Sequence, residues 1–527
     1  MLSLSSFEER RPEAGLALRI VLAFWAGWVA SLALPPIGLM VAQFPAFSLV
    51  ILLLQRAKTP WGGFGLCWAY AFGFHLFGLS WIGEAFLVDA ASFAWMRPFA
   101  VSGLPAGLAL ITGLAGLAFV WVRRAWPGGL LSDILLFAAL FIMSEWLRGH
   151  ILTGFPWNLP VHGWGAADAV LQGLAWIGPY GVSLAVVLAG GALLPVMRPG
   201  SWMLRTGRAL VLLAPLLAIA VAGTVRLAAA PEDMPTVPGV KLRLVQPNIP
   251  QKDKWRPDLK AAHFEKHLAL SRGAAAAGVT QIIWPEAATA FLAEESVDAL
   301  ARIGAVTPPG GSTILGTPRR SASLDGSGLA YTNSVIAVSP DGRVSATYDK
   351  HHLVPFGEYI PLKNWLPIDR LAPGHVNFQE GPGPQTVLVA GAPAFSPMIC
   401  YEAIFPGEVI DFEQRPDWLL NLTNDAWFGT SAGPHQHLAM ARLRSIEEGL
   451  SLVRVASTGI SAVIDPYGRI REQLGSGVED FVDVKLPVAL ATNFYTIRKD
   501  GIVGLLILLT LLIATASAWR SRFCDTS

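Results

Sequence analysis

A cysteine, a lysine and a glutamate in the middle of the chain have the surroundings that nucleophilic catalysis requires. Cys400 closes an apolar run, Ala394-Phe-Ser-Pro-Met-Ile-Cys400, that reads as a buried strand, and Tyr401-Glu402-Ala-Ile-Phe-Pro406 follows at once. A nucleophile at a strand end, on a sharp turn into a helix, is exposed at the sheet edge. It is also close to main-chain N–H donors that can lower a thiol pKa and stabilise an oxyanion. The alternative for a lone thiol is a small buried hydrophobe. A thiol nucleophile needs a base and a positive group near the developing charge. Gln281-Ile-Ile-Trp-Pro-Glu286 offers the base: a carboxylate in apolar surroundings has its pKa raised and becomes a workable proton acceptor. A helix N-terminal Glu just after Pro is the other reading. Lys350 offers the positive group. It ends a strand, Arg343–Tyr348, and enters the aromatic, Pro- and Gly-punctuated loop His351-His352-Leu-Val-Pro-Phe-Gly-Glu358-Tyr-Ile-Pro361, which suits a formed pocket better than a solvated face. No carboxylate or His repeat at metal-ligand spacing surrounds His351 and His352, so no metal and no cofactor are expected.

Alternating elements must carry these residues. Lys241–Gln246, Gln281–Trp284, Ser312–Gly316, Asn333–Val338, Ala394–Cys400 and Trp418–Thr423 read as strands, and Asp258–Ala276 and His435–Gly449 as helices. This alternation implies an α/β layered fold. Arg442, Arg444, Glu447 and Glu448 on the second helix are expected to form a solvated or ion-paired face.

The remainder of the chain belongs to a different solvent. Of 527 residues 53% are hydrophobic and 15% charged, with a net charge of +1. This excludes a disordered chain and argues against a nucleic-acid binder, which would carry a basic surplus. Residues 1–229 hold 21 charged side chains, residues 230–499 hold 52, and residues 500–527 hold four. Bilayer-length runs need roughly 17–25 residues as helix. Ile20–Gln55 has no charge and is broken near Pro35-Pro36, giving two short spans, or one span and a re-entrant segment. Thr59–Gly83, Pro98–Val122, Ala125–Ser144 (interrupted by Asp133), Ala169–Met197, Ala209–Val225 and Gly501–Trp519 follow. Eight spans are expected: a seven-span bundle over 1–229, an extramembrane domain over 230–499, and an eighth span with a cytoplasmic tail over 500–527.

Loop charge orients the bundle. With the N-terminus inside, twelve Lys and Arg fall on the inner side: Arg10, Arg11, Arg19, Arg56, Lys58, Arg123, Arg124, Arg198, Arg205, Arg208, Arg520 and Arg522. The short outer loops hold Arg97 and Arg148 only, with Arg226 leading into the large domain. Lys and Arg are retained on the cytoplasmic side, so the 230–499 domain is expected outside. The first apolar run is too long for a cleavable leader and lacks a small-residue cleavage site. Glu84, Asp89, Glu145 and Arg148 are expected to be solvated at outer span ends. Trp81, Phe86, Trp95, Phe155, Trp157 and Trp164 are expected to anchor the membrane interface. Cys67 lies in a span and Cys524 in the tail, so Cys400 has no disulfide partner in its domain.

Trp284-Pro-Glu286, the Lys350–Glu358 loop and Cys400-Tyr401-Glu402 resemble the Glu–Lys–Cys triad of the nitrilase, or carbon–nitrogen hydrolase, superfamily. Joined to a membrane bundle, the chain is most similar to the apolipoprotein N-acyltransferase family. Further segments carry the resemblance: Val245-Gln-Pro-Asn-Ile-Pro-Gln251 with Trp255, Asn421-Leu-Thr-Asn-Asp-Ala-Trp427-Phe-Gly429, Pro434-His435-Gln436-His437, and Gly154-Phe-Pro-Trp157-Asn158. The resemblance implies an α-β-β-α sandwich. It implies Glu286 as general base, Cys400 as nucleophile and Lys350 as oxyanion stabiliser, with Glu358, Tyr401, Glu402 and Trp255 in support. Cys400 would take an acyl chain from a phospholipid as a thioester and pass it to the N-terminal amine of a diacylglyceryl cysteine on an apolipoprotein. A bacterial inner-membrane enzyme follows, multi-pass and monomeric, with its catalytic domain on the periplasmic side. A membrane-tethered amidase releasing acid to water, or a non-catalytic lipoprotein-binding module, are the rival readings. Lipid substrates give a reason for the spans, since drawing an acyl chain through water would cost about 0.8 kcal/mol per CH₂.

Overall fold

The computed structural model describes residues 12–322, 328–361 and 378–524. They fall into two compact units. One comprises the described parts of Met1–Ser80, Pro98–Leu227 and Ile497–Ser527; the other comprises those of Trp81–Arg97 and Ala228–Thr496.

The second unit is a two-sheet sandwich. Its first sheet has the order β11-β1-β2-β3-β4-β5, from β11 (Asp480–Pro487), β1 (Thr236–Gln246), β2 (Gln281–Ile283), β3 (Ser312–Ala322), β4 (Leu329–Val338) and β5 (Val344–Asp349). The other has the order β10-β9-β8-β7-β6, from β10 (Ile470–Leu474), β9 (Ser461–Ile464), β8 (Ser451–Ala456), β7 (Trp418–Thr423) and β6 (Phe395–Ile399). β1, β2 and β3 run parallel, as do β6, β7 and β8. β4 is antiparallel to both β3 and β5, so β5 runs in the direction of β2. The C-terminal ends of β2 and β5 therefore lie at the same edge of their sheet.

Three apolar clusters make the layers. Leu242, Leu244, Ile283, Ile314, Ile399, Leu420 and Val453 fill the space between the sheets. Phe264, Leu268, Ile282, Leu315 and Ile336 pack the first sheet against helices Lys260–Ser271 and Val297–Val306. Leu419, Leu452, Leu438 and Ala441 pack the other sheet against helix Gly433–Glu448. Inward and outward residues alternate along each buried strand, and here both faces are covered. This is the α-β-β-α sandwich that the resemblance implied. The seven expected strands, Arg343–Tyr348 included, and the two expected helices are present, Trp418–Thr423 with the expected bounds and the others with shifted ends. Helix Val297–Val306 and β8–β11 were not anticipated.

Of the solvated or ion-paired face expected on helix Gly433–Glu448, the pairing is present and the solvation is not: Arg444, Glu447 and Glu448 are wholly buried. Arg444 pairs with Glu447 and also donates to the Ile404 carbonyl at 3.1 Å. Helix Gly433–Glu448 is covered on this side because Asn493 and Thr496 return to bond its last carbonyls.

The first unit is helical. Among the described residues, five helices are long and apolar enough to cross a membrane, or six if Pro60–Gly78 and the short helix after it count as one. Eight were expected. The shortfall lies mainly in the uncharged run Ile20–Gln55, where the apolar helical stretches among the described residues, Gly15–Ser31 within helix Pro12–Ser31 and Met40–Gln55, fall in the 10–17-residue range rather than at the ~20 that a ~30 Å hydrocarbon core needs. Arg10 and Arg11 lie outside the described residues, as do the side chains of Arg522 and Cys524. Helix Pro12–Ser31 packs closely on Pro60–Gly78 because glycines let the backbones meet: a Cβ on Gly27 would fall 1.9 Å from the Tyr70 carbonyl oxygen.

Charges within this unit are paired. Asp133, which interrupts one run, accepts from Arg123 at 3.0 Å and from Gln55 at 2.6 Å. Glu145 and Arg148, expected in solvent, are buried on helix Leu130–His150 and meet at 2.6 Å, while Arg148 also donates to the Phe155 and Trp157 carbonyls. The aromatic residues likewise turn inward. Trp157 and Trp164, and in the other unit Trp81 and Phe86, are buried; of the six expected at the interface only Trp95 is widely exposed, at 67%. Trp164 and Trp81 each bond a glutamine, Gln43 and Gln436 respectively, which explains why a polar-tipped ring can be buried.

The Glu145–Arg148 pair yields a stability prediction. Arg148→Met strands Glu145 in an apolar bundle and is expected to cost about 3–5 kcal/mol, whereas Glu145→Gln/Arg148→Met together cost less. Thermal unfolding of the two variants in detergent measures the difference, and equal losses would contradict it.

Candidate active site

Each of the three central residues sits just past the end of a strand, buried for Glu286 and Cys400 and at the sheet edge for Lys350. Glu286 follows β2 by three residues. Its loop is pinned to β3 by main-chain bonds from Gly316 to Pro285 at 3.2 Å and from Ala288 to Gly316 at 2.8 Å. Position 316 must be glycine, since a Cβ there would lie 2.6 Å from the Glu286 Cα. Lys350 follows β5 directly, and its N–H bonds the Asn333 carbonyl on β4 at 2.9 Å. Cys400 follows β6 with φ of +50° and opens a single 3₁₀ turn, Cys400–Ile404, in place of the expected helix. A non-glycine residue in this region is strained and persists only where its surroundings fix it.

The carboxylates and ammonium form one buried cluster. Lys350 Nζ lies 2.9 Å from Glu358 Oε2 and 4.0 Å from Glu286 Oε1. Asn333 Nδ2 donates to Glu286 Oε1 and to Glu358 Oε1, each at 2.8 Å. Glu358 Oε2 also accepts from the Val354 N–H at 2.8 Å, which folds the Lys350–Pro361 loop back onto the site. Burial pushes the Glu286 carboxyl above its ordinary value; Lys350 pulls against this and Glu358 adds to it. Burial opposes the Lys350 charge, but Glu358 and then Glu286 outweigh it and hold the ammonium above its ordinary value. Burial pushes the Cys400 thiol up to about 12, with Glu286 adding and Lys350 opposing. The lowering expected from nearby N–H donors does not occur, because desolvation is the larger effect. The resting thiol is protonated, so a base has to take its proton before it can attack.

Glu402 ties the two sheets together at this edge. One of its oxygens accepts from the Ile399 N–H at 2.6 Å. The other accepts from the Tyr348 hydroxyl at 2.8 Å and from the N–H groups of His351 at 2.8 Å and His352 at 3.2 Å. The Cys400 turn and the Lys350 loop are thus held by one carboxylate. Its own burial acts to raise it, but the His351 ring, whose Nδ1 lies 2.6 Å from the carboxylate, and then Lys350 and the Ile399 N–H hold it below its ordinary value. Tyr401 is buried and packs against Phe405 at 5.1 Å. Trp255 is half-buried, and among the described contacts it is its neighbour Lys254 that reaches the triad.

A buried polar network lies behind the nucleophile. His437 Nε2 is 3.0 Å from the Cys400 carbonyl oxygen, which can only accept, so that nitrogen carries a hydrogen. His437 Nδ1 is 2.9 Å from Asp425 Oδ1 and 3.1 Å from Arg454. Arg454 also donates to Asp425 Oδ2 at 2.7 Å and to the Asn421 side chain. Burial works to raise Asp425, yet Arg454 and His437 hold it well below the usual carboxylate range. Sequence reasoning quoted Asn421–Gly429 and His437 only as parts of a resemblance. It missed Asn333, Arg454 and Lys254. Asn333 and Arg454 lie inside strands, where a polar residue is normally read as facing solvent. Lys254 stands next to the chosen Trp255, and nothing in its type or spacing marked it.

The arrangement suits covalent acyl transfer: a protonated thiol, a carboxyl of raised pKa, and a charged lysine between two glutamates. The carbon-nitrogen hydrolase family matches residues 241–495, and the apolipoprotein N-acyltransferase N-terminal domain family matches residues 26–192. The chain is similar to the apolipoprotein N-acyltransferase of Rhodopseudomonas palustris, 40% identical over 517 residues, covering 94% of this chain and 95% of that one. It is also similar to that of Bradyrhizobium diazoefficiens, 40% identical over 520 residues and 94% of each chain. Among solved structures, a Saccharomyces cerevisiae member of the nitrilase superfamily aligns with a TM-score of 0.34 at 16% identity, over 51% of this chain and 96% of that one. A carbon-nitrogen hydrolase from Helicobacter pylori aligns with a TM-score of 0.35 at 13% identity, over 51% and 94%.

Replacing Glu402 tests the link between the sheets. In Glu402→Gln an amide N–H₂ must face an N–H donor, and each buried donor left unmatched costs about 1–3 kcal/mol. The variant is expected to melt earlier than the unsubstituted protein and to acylate more slowly. Unchanged melting would show that the carboxylate does not hold these loops.

Proposed function

Because the chain belongs to the apolipoprotein N-acyltransferase family, we propose that it moves the acyl chain in two steps through a thioester on Cys400. The family's chemistry takes an acyl group from a phospholipid donor to a lipoprotein acceptor, and the chain is a multi-pass membrane protein. In the first step Glu286 takes the Cys400 proton and the sulfur attacks the ester carbonyl of the phospholipid. Lys350 stabilises the oxyanion. Collapse breaks the ester C–O bond, and the departing alkoxide takes the proton from Glu286. In the second step the neutral N-terminal amine of a diacylglyceryl cysteine attacks the thioester. Glu286 accepts the proton that the amine loses and returns it to the leaving thiolate, so that an amide and the free thiol remain. Splitting one transfer into two easier ones is what covalent catalysis supplies.

The observation that carries this reading is the cluster of Glu286, Lys350 and Glu358, with Lys350 Nζ at 4.0 Å and 2.9 Å from the two carboxylates, at the strand edge that Glu402 joins to the Cys400 turn. Glu358 holds Lys350, Glu402 holds the turn, and Tyr401 and Trp255 line the site. The charge asymmetry of the short loops supports a periplasmic position for the 230–499 catalytic domain, with spans over 1–229 and 500–527 and both termini on the cytoplasmic side when Pro60–Gly78 and the short helix after it make one crossing, which keeps the number of spans even. The enzyme works as a monomer.

Intact mass of the purified protein after incubation with phospholipid tests the mechanism. One acyl chain is expected on Cys400. A diacylglyceryl-cysteine peptide is expected to discharge it at least about tenfold faster than water, since a thioester is intrinsically open to amines. Cys400→Ser is expected to fold and to gain no stable adduct under the same conditions. Equal discharge by water would favour an amidase, and activity surviving Cys400→Ala would exclude the covalent route.

A further inference from the structure

Lys254 is a second buried lysine at the site, and the mechanism above leaves it without a task. It ends the short helix Gln251–Lys254 and is 4% exposed. Its loop is fastened at two points: the Asn248 N–H bonds the Ser457 carbonyl at 2.9 Å, and Asn424 Nδ2 bonds Gln251 Oε1 at 2.7 Å. Among the described residues its ammonium donates one hydrogen bond, to the main-chain carbonyl of Glu286 at 3.0 Å. The peptide it holds is an unusual one, because Ala287, the next residue, has φ of +46°.

A methionine would fill the same space without the cost of burying a charge, so packing alone gives no reason for a lysine here. Charge balance does. With a neutral thiol, the cluster of Glu286, Glu358 and Lys350 by itself carries −1, Glu402 standing outside it against the His351 ring. Lys254 brings it to zero. The balance stays at zero when the Cys400 proton passes to Glu286, and again when the negative charge moves from sulfur to the oxyanion.

We propose that Lys254 is a positioning residue of the acyl-transfer site, which fixes the Glu286 peptide and supplies the second positive charge that lets Glu286 take the Cys400 proton. This rests on the acyl-enzyme reading of Cys400. The groups in the field of Lys254 are Glu286 and Cys400 across the site, and His263 and His267 on helix Lys260–Ser271. Burial keeps both histidines below their ordinary values, His267 down to about 3, so neither brings a competing charge at neutral pH. Burial lowers Lys254 itself to about 8, with Glu286 and then Cys400 opposing, which leaves it largely charged at neutral pH. Its positive charge in turn works to lower Glu286.

Single-turnover formation of the Cys400 thioester, followed by intact mass across pH in the full-length protein, tests this. On the acid limb of the profile Lys254→Met is expected to slow thioester formation about tenfold for each pKa unit by which that limb moves. It is also expected to move the acid limb of the profile to higher pH, because Glu286 loses a stabilising charge. Lys254→Arg restores the limb. Should Lys254→Met not fold, Lys254→Gln keeps a donor for the Glu286 carbonyl but no charge, and is expected to show the same displaced limb. An unmoved limb in the uncharged variant overturns the inference, whether its rate is normal or low. No adduct on Cys400 in the unsubstituted protein overturns the acyl-enzyme reading and this inference with it, so the two failures are separable.

Discussion

Charge balance in a dry site governs this domain. Glu286, Glu358 and Lys350 are all buried, and each ion taken from water costs several kcal/mol unless its partners are well placed. Lys350 Nζ reaches one carboxylate closely and the other at 4.0 Å, and Asn333 divides its two N–H bonds between them. Such a cluster tolerates little movement, because a lost partner leaves an unpaired charge in the interior. Glu286 and Lys350 therefore stand just past the ends of two strands in one sheet, and the loop residue Glu358 is bound back to its own loop through the Val354 N–H.

The same demand extends outward from the cluster. Cys400 is held in a left-handed backbone conformation that its own side chain disfavours. It stays there because His437 grips its carbonyl from one side and Glu402 grips the preceding N–H from the other. His437 in turn depends on Asp425 and Arg454, both fully buried. Two tiers of polar groups thus stand behind one thiol. The strain at Cys400 aims the nucleophile, and the network behind it keeps that strain from relaxing.

In the helical unit the low dielectric acts on fewer groups but by the same rule. Asp133 and Glu145 interrupt apolar helices, and each is met by an arginine. The buried tryptophans show the corresponding rule for neutral groups: rings with an N–H go inside where an acceptor is waiting, as Trp164 does with Gln43. The overall hydrophobic share of 53% averages two kinds of interior, one built of helices and one of sheets.

Much of this was legible in the chain. Local pattern identified six of the strands around the site, because strands buried on both faces read as continuous apolar runs. It placed Glu286, Lys350 and Cys400 at strand ends, and it separated the apolar helices from the mixed domain. Charge and exposure were not legible. Arg444, Glu447, Glu145 and Arg148 look like solvated residues in sequence, since a charge is buried only when a distant partner meets it. Cys400 sits in a context that suggests a lowered thiol pKa, yet desolvation raises it. Asn333, Arg454 and Lys254 carry no local signal at all. The sequence by itself determined which residue types could do the chemistry and which strands would carry them, because apolar periodicity is a property of neighbours in the chain. Only the tertiary structure decided which charges face one another, because pairing and desolvation depend on groups far apart in sequence.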